Sequence, residues 1–129
     1  MAWFAPTLLA IEAGFALYTS WLSLSRPAAF AGMLGLELPG DSGVNEIRSQ
    51  YGGFFLAMAL VQGAALAGTL PLSTGLVVGA MTFGGLAFGR IWSCLQHHGT
   101  SRYTPTIRAL VLLDPLGFLL SAAALWSIS

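Results

Sequence analysis

The chain has 129 residues, of which 56% are hydrophobic and only 8% are charged. Soluble domains carry about 25% charged residues, so this composition indicates a protein whose surface faces lipid. Five arginines balance five acidic residues, and zero net charge argues against a nucleic-acid partner, which needs a basic face. The length suits one domain over residues 1–129.

Four apolar stretches predict an all-α integral membrane bundle of four transmembrane helices. In chain order they cover residues 3–21, 46–68, 70–95 and 105–126. Each reaches the roughly 20 residues that a helix needs to cross about 30 Å of hydrocarbon. The expected surroundings of the chain are therefore a lipid bilayer.

The first loop, residues 23–44, is the only long connection between these stretches. It is apolar between its prolines, and a short interfacial helix over residues 28–34 is predicted there. An ordered loop that only covers the helix ends is the alternative.

The arginines predict the orientation of the bundle. Arg26 and Arg48 flank the first loop, and Arg90, Arg102 and Arg108 surround the third. Neither the second loop nor a terminus carries a basic side chain. The positive-inside rule then places loops one and three in the cytoplasm and both termini on the outer side.

The second stretch opens with the polar sequence NEIRSQYGG, residues 45–53. Asn45 is the predicted N-cap, and Glu46 lies in the first turn, where the helix dipole favours an acid. At α-helical spacing Arg48, Tyr51 and Gln62 fall on one stripe of this helix.

Ionisable residues also occur deep inside the other apolar stretches. Glu12 lies near the middle of the first, Arg90 shares a face with Ser93 in the third, and Asp114 lies in the fourth. A charge at such depth costs several kcal/mol unless it is paired or hydrated. We therefore expect a buried polar cluster in which Arg90 pairs with Asp114 or Glu12, with hydrogen bonds from Tyr51 and Gln62. The candidate site residues are Glu12, Glu46, Arg48, Tyr51, Gln62, Arg90, Ser93 and Asp114.

Two interpretations of this cluster remain open at the level of sequence. In the structural interpretation the charges fix helix register and pairing. In the functional one they line a pocket for a lipid, quinone, pigment or other small ligand, or a proton path, because intramembrane charges commonly mark such sites.

Glycines at four-residue spacing predict close helix packing in the third stretch, where small residues let backbones approach. These pairs are Gly75 with Gly79 and Gly85 with Gly89, and the Gly52–Gly53 pair opens space at the start of the second stretch. Packing inside one bundle and a homo-oligomer face both fit the pattern.

Cys94, His97 and His98 are the possible metal ligands near the end of the third stretch. One helix end with no second cluster does not complete a tetrahedral site, so no metal is predicted. No cofactor is predicted either, with a pigment or haem contact at His97 or His98 as the minor alternative.

NEIRSQYGGFFLAMAL (residues 45–60) is followed about thirty residues later by FGRIWSC (residues 88–94). This combination resembles the bacterial membrane family catalogued as domain of unknown function 4345, whose G-R-x-x-S element matches Gly89, Arg90 and Ser93. The resemblance implies a four-helix protein of the bacterial inner membrane and supplies no reaction. The family's fourth helix usually carries Glu where Asp114 stands here, and the histidine pair departs from its pattern.

The predicted function is a non-catalytic accessory or scaffold subunit that packs against a larger membrane complex. The alternative is a small-ligand binder or proton-coupled transporter that uses Glu12, Arg90 and Asp114. A lipid-modifying enzyme with Glu12 and Tyr51 as an acid–base pair is the third class, and no catalytic residue is assigned.

Overall fold

The computed structural model of the chain describes residues 2–38, 40–97 and 99–129, and of His97 the backbone only. All regular elements of the described residues are helical: α1 (Phe4–Ser25), α2 (Pro27–Met33), α3 (Gly40–Ile47), a π-helical segment (Arg48–Gly53), α4 (Phe54–Leu66), α5 (Leu72–His97) and α6 (Pro105–Ile128). The predicted all-α class is confirmed. Three of these helices, α1, α5 and α6, are long and apolar enough to cross a membrane.

The predicted first loop is largely helical. Pro27 starts α2, and because the residue before a proline disfavours helical backbone, Arg26 adopts φ −134° and separates α2 from α1. Gly35, with φ +74°, follows the end of α2. The short helix of this region therefore exists at almost the predicted place.

The start of the second long helical stretch was predicted wrongly. It begins at Gly40 rather than near Asn45, and Asp41 is the acid in its first turn. From there α3, the π-helical segment and α4 follow one another without a gap to Leu66. Asn45 consequently lies inside a helix and is not an N-cap.

Helix α1 contacts α4, α5 and α6, and α5 packs along α6 and also contacts α4. The buried apolar side chains of the helices form three successive layers along α1. The first layer includes Leu9 and Leu76, the second includes Ala16 and Phe55, and the third joins Leu22 to α2. Glu12 lies between the first and second layers and is one of the buried polar side chains of the core, which also include Gln62, Asp114 and Ser121.

Large apolar side chains also cover the outside of the helices. Trp126, Leu112 and Phe88 are 86%, 74% and 70% exposed. Exposure of so much apolar surface to water would cost a large free energy, whereas contact with lipid acyl chains would not. The surface therefore has the character that the composition predicted.

Thr104 joins the start of α6 to α2. Its hydroxyl accepts a hydrogen bond from the Ile107 amide at 3.3 Å as the N-cap and donates to the Met33 carbonyl at 2.8 Å. Thr104→Ala is expected to lower the free energy of unfolding by about 1–2 kcal/mol, because the cap and this link are both lost. Thermal unfolding in detergent measures the loss. Thr100→Ala is the control, and an equal loss there would remove the cap as the cause.

Candidate functional site

Arg90 of α5 and Asp114 of α6 form an ion pair inside the bundle. The Arg90 Nε donates to Oδ2 of Asp114, whose side chain is 1% exposed, while that of Arg90 is 19% exposed. The predicted partnership between these residues is present. None of the hydrogen bonds between described residues uses the terminal Nη atoms of Arg90, so its remaining N–H donors are available to another molecule.

Glu12 is not part of that ion pair. It is 3% exposed and contacts two neutral side chains that are fully buried. Gln62 Nε2 donates to Glu12 Oε2 at 2.9 Å, and the Ser121 hydroxyl lies 2.5 Å from Glu12 Oε1. The single polar cluster that the sequence predicted is therefore two separate groups, because Glu12 reaches α4 and the far part of α6 and not Arg90.

Glu46 and Arg48, also predicted for the cluster, are exposed. Arg48 Nε donates to the Leu24 carbonyl at 3.3 Å. Arg48 begins the π-helical segment, which holds more residues per turn than an α-helix, so α-helical spacing misjudges its direction relative to the residues that follow. Gln62, in α4, is buried as expected. Glu46 was included for its place at the predicted start of the helix, whereas the helix begins earlier, at Gly40.

The central cavity lies beside the Arg90–Asp114 pair and has a volume of about 110 Å³. Side chains from α1, α2, the π-helical segment, α4, α5 and α6 enclose it. Its lining residues are Phe15, Tyr18, Thr19, Leu22, Phe30, Met33, Leu34, Tyr51, Phe55, Leu86, Arg90, Thr106, Leu110 and Asp114. The walls are thus almost wholly apolar, with one ion pair as their strongest polar feature.

Tyr51 enters the wall of the central cavity through its ring. The ring lies 5.0 Å from that of Phe30 and is stacked with that of Phe55 at 6.4 Å, centroid to centroid. Of the two predicted hydrogen-bonding residues, Gln62 has its bond to Glu12, whereas the Tyr51 hydroxyl has none among the described residues. α-Helical spacing places Phe55 one turn after Tyr51 on the same stripe. The contact with Phe30 was not predicted, because the sequence does not show where the short helix over residues 28–34 packs.

A second, more open space lies on the other side of Arg90. This Ser93 groove has a volume of about 430 Å³ and shares Leu34, Tyr51, Leu86 and Arg90 with the wall of the central cavity. Ser93 lies there 2.9 Å from the Tyr103 hydroxyl. Arg90 therefore borders both spaces, and Tyr103, which was not among the predicted site residues, joins the site.

The predicted packing glycines divide into two groups. Any Cβ at Gly52 or Gly75 would lie 2.5 Å from Leu24 or 2.9 Å from Leu9, and one at Gly79 would overlap the Glu12 carboxyl group. These three glycines are close helix contacts.

Gly53, Gly85 and Gly89 make no close contact with another helix of this chain, so the prediction of packing inside one bundle was wrong for them, and the homo-oligomer alternative stays a prediction. A Cβ at Gly85 or Gly89 would meet nothing within 4 Å, because both residues line the open Ser93 groove. Gly53 approaches only a backbone oxygen of its own helical stretch. Close contacts missed by the spacing argument occur at Gly84, against Phe118, and at Gly117, against Phe83.

The predicted pigment or haem contact concerns His97 and His98, whose side chains lie outside the described residues. Within the described part of the chain, no group of three or more His, Cys, Asp or Glu side chains is placed to hold a metal ion. The chemistry of the described site therefore rests on hydrogen bonds, charge and apolar contact.

No family model, curated protein or solved structure matches the chain. The resemblance noted from its two motifs stays a prediction, and the function is argued from the geometry alone.

Proposed function

We propose that the protein binds a small amphipathic molecule, of the quinone or neutral-lipid class, from the bilayer. The central cavity beside Arg90 carries this proposal together with the Ser93 groove of about 430 Å³, which shares Arg90 with it, since small-molecule sites are mostly apolar spaces with a few polar groups that fix orientation. The apolar part of the ligand occupies the aromatic walls. Its polar head lies at the terminal nitrogens of Arg90.

The charges of the site favour an uncharged head group. Asp114 already balances the single positive charge of Arg90, so an anionic head would add an uncompensated charge in a low-dielectric region. A carbonyl or hydroxyl oxygen accepts hydrogen bonds from the guanidinium without that cost. The aromatic rings of Phe30, Tyr51 and Phe55 suit a flat ring beside it.

The proposed setting is the bacterial inner membrane, with four spans. Residues 40–66 form one uninterrupted helical stretch, and its apolar part supplies a fourth crossing beside α1, α5 and α6. In this arrangement α2 lies at the interface, and the arginine-flanked connections face the cytoplasm with both termini outside.

An accessory role in a larger complex, or a homo-oligomer, would need a protein partner on the exposed helix faces. Lipid satisfies those apolar faces equally well, so they favour neither state, whereas the central cavity specifically favours a ligand. Stoichiometric co-purification of a larger membrane protein from native membranes would support the accessory role.

Decylubiquinone binding to the protein in lipid nanodiscs tests the proposal, with isothermal titration as the measurement. The variant is Arg90→Leu/Asp114→Leu, which removes the anchor and leaves no unpaired charge. Its affinity is expected to fall at least about tenfold, as the loss of a charge-assisted hydrogen bond requires.

Arg102→Leu, the same change at an exposed arginine, is the matched control and should bind like the native protein. Decanoate, which has a charged head, should bind more weakly than the quinone. Equal quinone affinity in the native protein and the double variant would contradict the proposal.

A further inference from the structure

The Glu12 carboxyl group has surroundings unlike those of Asp114. Asp114 contacts a guanidinium, whereas Glu12 contacts only the Gln62 amide and the Ser121 hydroxyl, both neutral. Among the described residues no cation pairs with Glu12. A carboxylate buried without a counter-ion is strongly disfavoured against the neutral acid.

Around Glu12 the hydrogen-bond acceptors also outnumber the hydrogens that the neighbouring groups can donate. The Ser121 hydroxyl carries one hydrogen, and it lies within bonding distance of both Glu12 Oε1 and, at 2.8 Å, the Gly117 carbonyl. These two acceptors compete for one hydrogen. A hydrogen on Glu12 Oε1 removes the shortage, because the carboxyl group then donates to Ser121 Oγ while the Ser121 hydroxyl donates to the Gly117 carbonyl.

The carboxyl group is also close to a route from the bilayer. The Glu12 groove, of about 180 Å³, opens between α1 and α6 and is lined by apolar residues together with Glu12 and Asp114. Of the elements around the carboxyl group, α4 presents Gln62, α5 presents Gly79, and α6 presents Ser121 and the ion-paired Asp114. No described charge next to Glu12 opposes the neutral acid.

We propose that Glu12 is a proton-binding site inside the membrane, held as a neutral carboxylic acid at neutral pH and reached from the lipid through the Glu12 groove. Gln62 and Ser121 are its positioning residues. Gly79 provides the space for the carboxyl group. This inference does not depend on ligand binding at Arg90, which lies in the other polar group.

Dicyclohexylcarbodiimide is the probe, because it is apolar and reacts with protonated carboxyl groups. The carboxyl O–H adds across a C=N bond, so that a C–O bond forms and nitrogen takes the proton. Transfer of the acyl group to nitrogen gives a stable N-acylurea, and no atom leaves. The mass of the protein therefore rises by the mass of one reagent molecule.

The experiment labels the protein in lipid vesicles at neutral pH and maps the product by peptide mass spectrometry. One equivalent is expected at Glu12, with complete loss in Glu12→Gln and full labelling in Glu46→Gln, the control at an exposed acid. Labelling is expected to decrease as the pH is raised, because the reactive form loses its proton.

Infrared spectroscopy reads the protonation state independently of access. The carbonyl absorption of a protonated carboxyl group should be present in the native protein at neutral pH and absent in Glu12→Gln. Absence of both this absorption and the label at neutral pH would overturn the proposal. The absorption without the label would overturn the groove as a route, and label at Asp114 instead of Glu12 would reverse the assignment of the two acids.

Discussion

Asp114→Leu is expected to lower the free energy of unfolding by about 3–5 kcal/mol, because it leaves the guanidinium of Arg90 inside the bundle without its counter-ion. Arg90→Leu/Asp114→Leu should recover most of this loss. Replacement of a buried ion pair by apolar side chains of similar volume is often neutral or stabilising. The comparison thus separates the cost of an unpaired charge from the loss of side-chain packing.

Denaturation of the detergent-solubilised protein by SDS measures both variants. Glu46→Leu removes an exposed acid in the same way and should change stability by no more than about 0.5 kcal/mol. If the double variant is as unstable as Asp114→Leu alone, the ion pair is not what makes position 114 sensitive.

Gly79→Ala is expected to lower the free energy of unfolding by about 1–3 kcal/mol. Its new methyl group would occupy the place of the Glu12 carboxyl group, which Gln62 and Ser121 hold in position. Either the hydrogen bonds of Glu12 break or α5 moves away from α1. The same variant should therefore also reduce carbodiimide labelling of Glu12.

Gly85→Ala is the matched control on the same helix. Its Cβ meets nothing within 4 Å, so the better helix propensity of alanine should raise stability by up to about 1 kcal/mol. The same substitution is therefore expected to lower the free energy of unfolding at position 79 and to raise it at position 85. An equal gain at both positions would show that the carboxyl group moves aside at little cost.

The sequence predicted the helices and one half of the site. Long apolar stretches marked α1, α5 and α6, and the high cost of unpaired charges at depth predicted that Arg90 would pair with Asp114 or Glu12, of which the structure has Asp114. The first argument uses the apolar length of one stretch, and the second uses the cost of an unpaired charge. Neither requires knowledge of how the helices are arranged around one another.

What could not be predicted depends on that arrangement. Spacing along one helix shows which residues share a face and says nothing about which helix faces them. Glu12 was therefore grouped with the bases, although Gln62 and Ser121 of two other helices surround it. The same reason explains why Gly85 and Gly89 have the small-residue spacing and no close neighbour.

The π-helical segment was beyond the periodicity argument as well. The sequence gives no signal for the extra residue that a π-helical turn contains. The prediction at Arg48 therefore assumed α-helical spacing throughout, whereas Arg48 begins the π-helical segment. The short helix α2 was predicted in the first loop, but its packing position was not, and the contact of Phe30 with Tyr51 depends on that position. The Arg90–Asp114 pair was therefore within the prediction, and this part of the apolar wall was not.

The π-helical segment also determines how α3 is rotated about the helix axis relative to α4. Its carbonyl at Gly52 accepts a hydrogen bond from the Ser20 hydroxyl at 2.8 Å, which fixes the wide turn against α1. Deletion of one residue from the segment is expected to restore α-helical pitch. Helix α3 would then rotate about the helix axis relative to α4, which would keep its position. The wide turn of this segment thus sets the direction that α3 faces relative to α4.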